Sequence, residues 1–161
     1  CLYDAINGSI RDDSVRPNQI MAVSLINPVV TGGMARKIVL KVWKELYTAY
    51  GLRSLSPFSE EYRGIYINGP YQRDSAYHQG TVWVWPLGHF ITGFLKVCGN
   101  NKKNREIALN FIKPFRDHLR DACVGSISEI FDGEEPLIPR GCFAQAWSVG
   151  EILRAYVEIR G

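Results

Sequence analysis

Apolar side chains recur at three- and four-residue steps over four long stretches of the chain, and each stretch predicts a helix. From Met34 to Tyr50 the apolar positions are Ala35, Ile38, Val39, Val42, Leu46 and Ala49, with Lys37, Lys41, Lys44 and Glu45 on the solvated side. Gly51 is placed to end that helix as its C-terminal glycine. Leu87, Phe90, Ile91, Phe94, Leu95 and Cys98 form a second stripe, opened by Pro86 and closed by Gly99-Asn100. A third runs from Arg105 to Cys123 through Ile107, Ala108, Phe111, Ile112, Phe115 and Leu119, and Pro114 should kink or split it. The last extends from about Ala144 to Ile159, with Ala146, Val149, Leu153, Tyr156 and Val157 facing inward. A shorter helix opens at Arg16-Pro17-Asn18-Gln19, turns Met21, Ala22 and Leu25 to its apolar side, and stops at Asn27-Pro28.

Residues 52–82 break this rhythm. They carry no helical period, yet hold Tyr62, Tyr66, Tyr71 and Tyr77. Aromatics are depleted in disordered chains, so the segment reads as an ordered loop lining a site. The expected fold is all-α: about five to six helices with long site-lining loops, forming a single domain over 1–161. No alternating strand–helix pattern, GxGxxG or GxxxxGK[ST] motif occurs, which argues against nucleotide binding.

Composition narrows the classes. The chain is 46% hydrophobic and 22% charged, as a globular domain is. Its net charge of +3, with no basic block among aromatics, argues against nucleic acid. No apolar run approaches the ~18 residues of a membrane span. Cys1, Cys98, Cys123 and Cys142 form no CxxC and no HExxH occurs, so neither metal nor cofactor is expected. Cys98 and Cys123 read as small core residues, and a reducing cytoplasmic setting is the default. The start CLYDAING is not a charged-then-apolar leader, and a chain beginning at Cys1 rather than Met is expected to be a fragment.

The chemistry concentrates in Gly125 to Trp147. If that segment is extended, Glu129 shares a face with Ile127 and Phe131, and a carboxylate on an apolar face needs partners. Asp132-Gly133 is a turn signal; Pro136, Pro139 and Arg140 shape a rigid loop; Gln145 and Trp147 open the last helix. A second cluster, Tyr77 to Trp85, is dense in groups that grip sugars: indoles stack on pyranose faces, while imidazole and amide groups bond hydroxyls. Gly80 would let backbone approach a ligand. The same residues also fit a plain rim loop with a Glu129–Arg140 ion pair and a packed helix entrance. Glycoside hydrolysis uses two carboxyl groups, and Asp74, Asp132 and Glu60 are the further acids on offer. His118 sits among charges and reads as solvated, and His89 lies off the apolar stripe.

The series RPNQ (16–19), GLRSLSP (51–57), RDSAYHQGTVW (73–83), SEIFDG (128–133) and RGCFAQAWS (140–148) resembles the C-terminal part of glycogen debranching enzymes. The match is to their amylo-α-1,6-glucosidase domain of archaeal and bacterial type, nearly over the whole chain. The resemblance implies part of an (α/α)6 toroid and hydrolysis of branch-point glucose with inversion. It makes Glu129 the general base and puts the general acid upstream, outside this chain. His78, Gln79, Gly80, Trp83, Trp85, Arg140, Gln145 and Trp147, with Arg16, Asn18 and Asp74, become the substrate-binding residues. Glycogen or another branched α-glucan is the implied partner, with the missing N-terminal half of the domain or a second copy of the chain covering exposed apolar surface. Bacterial members often read VWPW, whereas here Val84 separates the tryptophans. Other six-hairpin glycosidases (glucoamylase- or trehalase-like) and a non-catalytic glycan-binding helical domain are the alternatives.

Overall fold

The computed structural model of the protein describes residues 2–161; Cys1, named above, lies outside them. The chain opens with a hairpin of β1 (Ala5–Asn7) and β2 (Ile10–Asp12), turning at Gly8-Ser9. A 3-10 turn, Pro17–Ile20, leads into the single-turn α1 (Met21–Ser24). Then come α2 (Gly32–Glu45), α3 (Pro70–Tyr77), α4 (Trp85–Cys98), α5 (Lys102–Ile112), α6 (Phe115–His118) and α7 (Ala146–Arg160).

The sequence explains why α4 is central. Its residues from Pro86 to Leu95 are apolar or small on nearly every side, and a helix apolar all round must be enclosed. It packs against α1, α2, α5 and α7. Gly88 lets α7 come close, since a Cβ there would collide with the Glu151 side chain and crowd its backbone carbonyl. Trp43 of α2 packs edge-on against Phe90, Phe94 and Phe111 at 5.5–6.2 Å, locking three helices together. Pro114 does split the third stripe, ending α5 and starting α6.

The all-α expectation is corrected. Five short strands make an antiparallel meander in chain order: β3 (Tyr47–Thr48), β4 (Gly51–Arg53), β5 (Val82–Trp83), β6 (Ile130–Phe131) and β7 (Pro139–Arg140). Its central register pairs Val82 with Phe131 and Trp83 with Ile130. Strands of two or three residues are too short to show an alternating pattern. Gly51 is no helix terminus either. The helix ends at Glu45, and Gly51 faces the carbonyl of Trp83 at a distance that admits no Cβ.

Other expectations also change. Residues 70–77 are helical; Pro70 starts the turn, but Ala76 is the one fully buried residue, so no stripe was visible. On α7 the buried residues are Ser148, Ile152, Ala155 and Ile159, whereas Leu153, Tyr156 and Val157 are exposed and Ala146 faces solvent. The inward face is therefore turned by about one residue. Glu45 is buried, accepting from Ser56 Oγ at 2.9 Å and pairing with Lys41. His118 is buried, not solvated. Cys98 is exposed and Cys123 half-buried, so neither is a core residue. Among the described residues no helix is long and apolar enough to cross a membrane.

Candidate active site

The meander brings two distant blocks side by side. Strand β5 ends the Tyr77–Trp83 block and β6 follows Glu129, so their pairing sets a tyrosine and a carboxylate opposite each other. Tyr77 Oη donates to Glu129 Oε1 at 2.6 Å. Gln145 Nε2 donates to the same oxygen at 3.2 Å, and the backbone N–H of Cys142 donates to Oε2 at 3.1 Å. A carboxylate has about four acceptor positions. Oε1 thus has two protein donors and Oε2 has one. Gly141, at φ 66°, lies against Oε2 so closely that a Cβ would overlap it.

Tyr77 is held from behind. Its carbonyl accepts from Thr81 Oγ1 at 2.7 Å and from Trp83 Nε1 at 2.9 Å. Burial, and then the Glu129 carboxylate it bonds, push its phenol well above the usual tyrosine range. The phenol is thereby kept as a donor.

Glu129 stands at the wall of a cleft of about 790 Å³. Arg16, Asn18, His78, Gln79, Trp83, Trp85 and Trp147 also line it. The aromatic groups divide the work. Trp83 is buried and stacked under His78, at 5.0 Å and 9°. Trp147 is half exposed and lies 5.5 Å from Trp85, so these two indoles offer the open faces. Burial, and then Arg16, lower the His78 imidazole below its ordinary value. The neutral imidazole, with one ring nitrogen able to donate and the other to accept, is therefore the favoured form at pH 7.

Several expected ligand-binding residues are tied into the frame around the cleft by hydrogen bonds and ion pairs of their own. Arg16 donates to the carbonyls of Ser54 and His78 and to Gln79 Oε1 at 2.6–3.2 Å, and Gln79 Nε2 reaches Glu61. Gly80 is buried; its N–H bonds Ser54 Oγ, and a Cβ would strike Tyr62 and Arg63. Arg140 pairs with Asp132 at 2.9 Å rather than with Glu129. Asp74 is exposed on α3 and outside the cleft lining. Asp132 is 2% exposed and committed to Arg140 and to the N–H of Tyr66, so it serves structure.

Sequence reasoning missed Asp4 and Asp12, which the first hairpin carries to the cleft. Asp4 pairs with Arg16 at 3.4 Å and accepts from Asn18 at 2.7 Å. Hydrogen bonds from Ser14 hold Asp12 below the usual carboxylate range, which suits it poorly to proton donation. Tyr77 was also missed as a partner of Glu129, although it opens the block already singled out. Among the described residues no group of three or more His, Cys, Asp or Glu could hold a metal ion.

The family model described as amylo-alpha-1,6-glucosidase matches residues 1–154. The chain belongs to the amylo-alpha-1,6-glucosidase family. Among curated relatives, the glycogen debranching enzyme of Saccharomyces cerevisiae is 24% identical over 92% of this chain. The chain spans 11% of the length of that relative. Both the HQGTVW and SEIFDG blocks, with the cleft between them, fall inside the matched residues.

Proposed function

We propose that this chain carries the general base of an inverting glucosidase that removes the α-1,6-linked branch-point glucose of a glycogen-like polyglucan. The observation that carries the reading is the Glu129 carboxylate, fixed by three donors at the edge of an aromatic cleft. The family membership and the yeast relative's name support the substrate class. A glucose stacks on Trp85 and Trp147, and His78 bonds its hydroxyls. Glu129 takes a proton from a water that attacks the anomeric carbon on the face opposite the departing oxygen. The general acid stands roughly 6.5–9.5 Å away, the separation that leaves room for that water. It comes from outside residues 1–161, in the remainder of a closed (α/α)6 ring.

The test is Glu129→Gln in the native full-length protein, assayed for glucose release from a branched limit dextrin. A lost general base should lower kcat by roughly 10²- to 10⁴-fold. NMR of the first product should show β-glucose in the unaltered protein. An unchanged rate in the variant, or α-glucose as first product, sinks the reading.

A further inference from the structure

A second cavity, of about 630 Å³, touches Glu129 from the side of Asn68, Arg73, Arg140 and Cys142. Glu129 is the residue that lines both this cavity and the aromatic cleft. The two differ in chemistry. The cleft carries three indoles, whereas the second cavity has none and is walled by Tyr66, Ile67, Asn68, the Arg73 and Arg140 guanidinium groups and the Gly141-Cys142 segment. The two carboxylate oxygens also differ. Oε1 faces Tyr77, a cleft residue, and has two protein donors. Oε2 lies against Gly141 and Cys142, both of the second cavity, and has one.

We propose that the polar cavity is the water site of the reaction: it supplies the nucleophile to Glu129 Oε2 while the sugar fills the aromatic cleft. The proposal rests on the glucosidase reading above. Inversion puts the attacking water on the face away from the departing chain. A glucan entering by the cleft mouth closes that route to solvent, so each turnover needs water from another side. The polar cavity opens on the carboxylate oxygen that retains room for it. Gly141 keeps the passage to Oε2 free of a side chain.

Cys142 gives the handle. In the full-length protein, with every other cysteine changed to serine, the Cys142 thiol is capped with reagents of increasing size. The bulky maleimide adduct should lower kcat about tenfold or more, with KM for the glucan unchanged and the methylthio adduct milder. Ile67→Trp, which narrows the same cavity without touching Cys142, should do likewise. A KM that rises at constant kcat would make the cavity a sugar subsite, and no effect would make it irrelevant; either overturns the proposal. A second readout follows the nucleophile itself. In Glu129→Ala, azide should attack the anomeric carbon of α-glucosyl fluoride, expelling fluoride and giving β-glucosyl azide. With the cleft mouth filled by added maltotriose, capping Cys142 should suppress that rescue, and rescue that persists refutes entry through this cavity. Activity that survives Glu129→Gln would instead remove the underlying glucosidase reading.

Discussion

Tyr77 Oη and Glu129 Oε1 lie 2.6 Å apart across 52 positions of sequence. A hydrogen bond to an ionised group contributes about 1.5–3 kcal/mol. Tyr77→Phe removes the donor and keeps the ring, with its packing on Trp83 and His78. If Glu129 is the base proposed above, kcat should fall roughly 10- to 100-fold while KM stays nearly constant, because the lost contact orients Glu129 and does not hold the sugar. Steady-state kinetics on a branched glucan checks this. A rise in KM alone would show that Tyr77 serves binding.

Gly141 should tolerate no side chain. It has φ 66° and faces the Glu129 carboxylate, whereas Gly125 has φ 80° and nothing within 4 Å. Both alanine variants carry the strain of left-handed backbone, about 1 kcal/mol. Only Gly141→Ala adds the collision. Thermal melts and kcat of the two variants separate the terms: Gly125→Ala should keep full activity, and Gly141→Ala should lose most of it.

Breaking the Asp132–Arg140 pair should cost stability more than chemistry. Asp132 is buried and accepts from Arg140 Nε at 3.0 Å and Nη2 at 2.9 Å, and from the N–H of Tyr66 at 2.8 Å. Removing one member of a buried pair costs about 3–5 kcal/mol, and the partial exposure of Arg140 puts Asp132→Ala at the lower end, about 3 kcal/mol. Urea denaturation at pH 7 measures it. A loss below about 1 kcal/mol would mean that the pair behaves as a surface bridge.

His118 predicts acid sensitivity. Its Nε2 accepts the N–H of Ser128 at 3.1 Å, next to Glu129, so that nitrogen must carry no proton. Burial lowers its folded value below the 6.5 of a free histidine. The sign follows: below pH 6.5 the unfolded chain binds more protons than the folded one, so stability is complete above that pH and declines as pH falls through the folded value. His118→Gln retains an acceptor that does not titrate. Its unfolding free energy should change less between pH 7 and pH 5 than that of the unaltered protein. His78 and His89, also lowered by burial, account for the slope that remains.

The helices α2, α4 and α5 were legible because each buries a broad apolar stripe. On α7 both sides carry apolar residues, so Leu153 and Tyr156 looked as inward as Ile152 and Ala155. The strands were not legible: Val82-Trp83 lies inside an apolar run of no clear period, and Ile130-Phe131 is a lone apolar pair between Glu129 and Asp132. Glu129 could be found from its apolar flanks. Its partners could not, since Tyr77 and Gln145 reach it through pairings that no local pattern announces. The alternative Glu129–Arg140 ion pair does not form: two acids lie close to that arginine in sequence, and only the Phe131–Pro139 register decides which one it meets.

The pairing of Val82 with Phe131 also sets when the site can exist. At roughly 5–20 residues per second of synthesis, Tyr77 leaves the ribosome several seconds before Glu129. Gln145 follows 16 residues later still. No partial version of the cleft forms along the way, because each half lacks the strand that orients the other. The hydrogen-bonded setting of Glu129 is therefore assembled in a single late step, well after Trp83 and Trp85 have been made. Lengthening the chain between the two blocks should slow folding through loop closure before it alters the finished site.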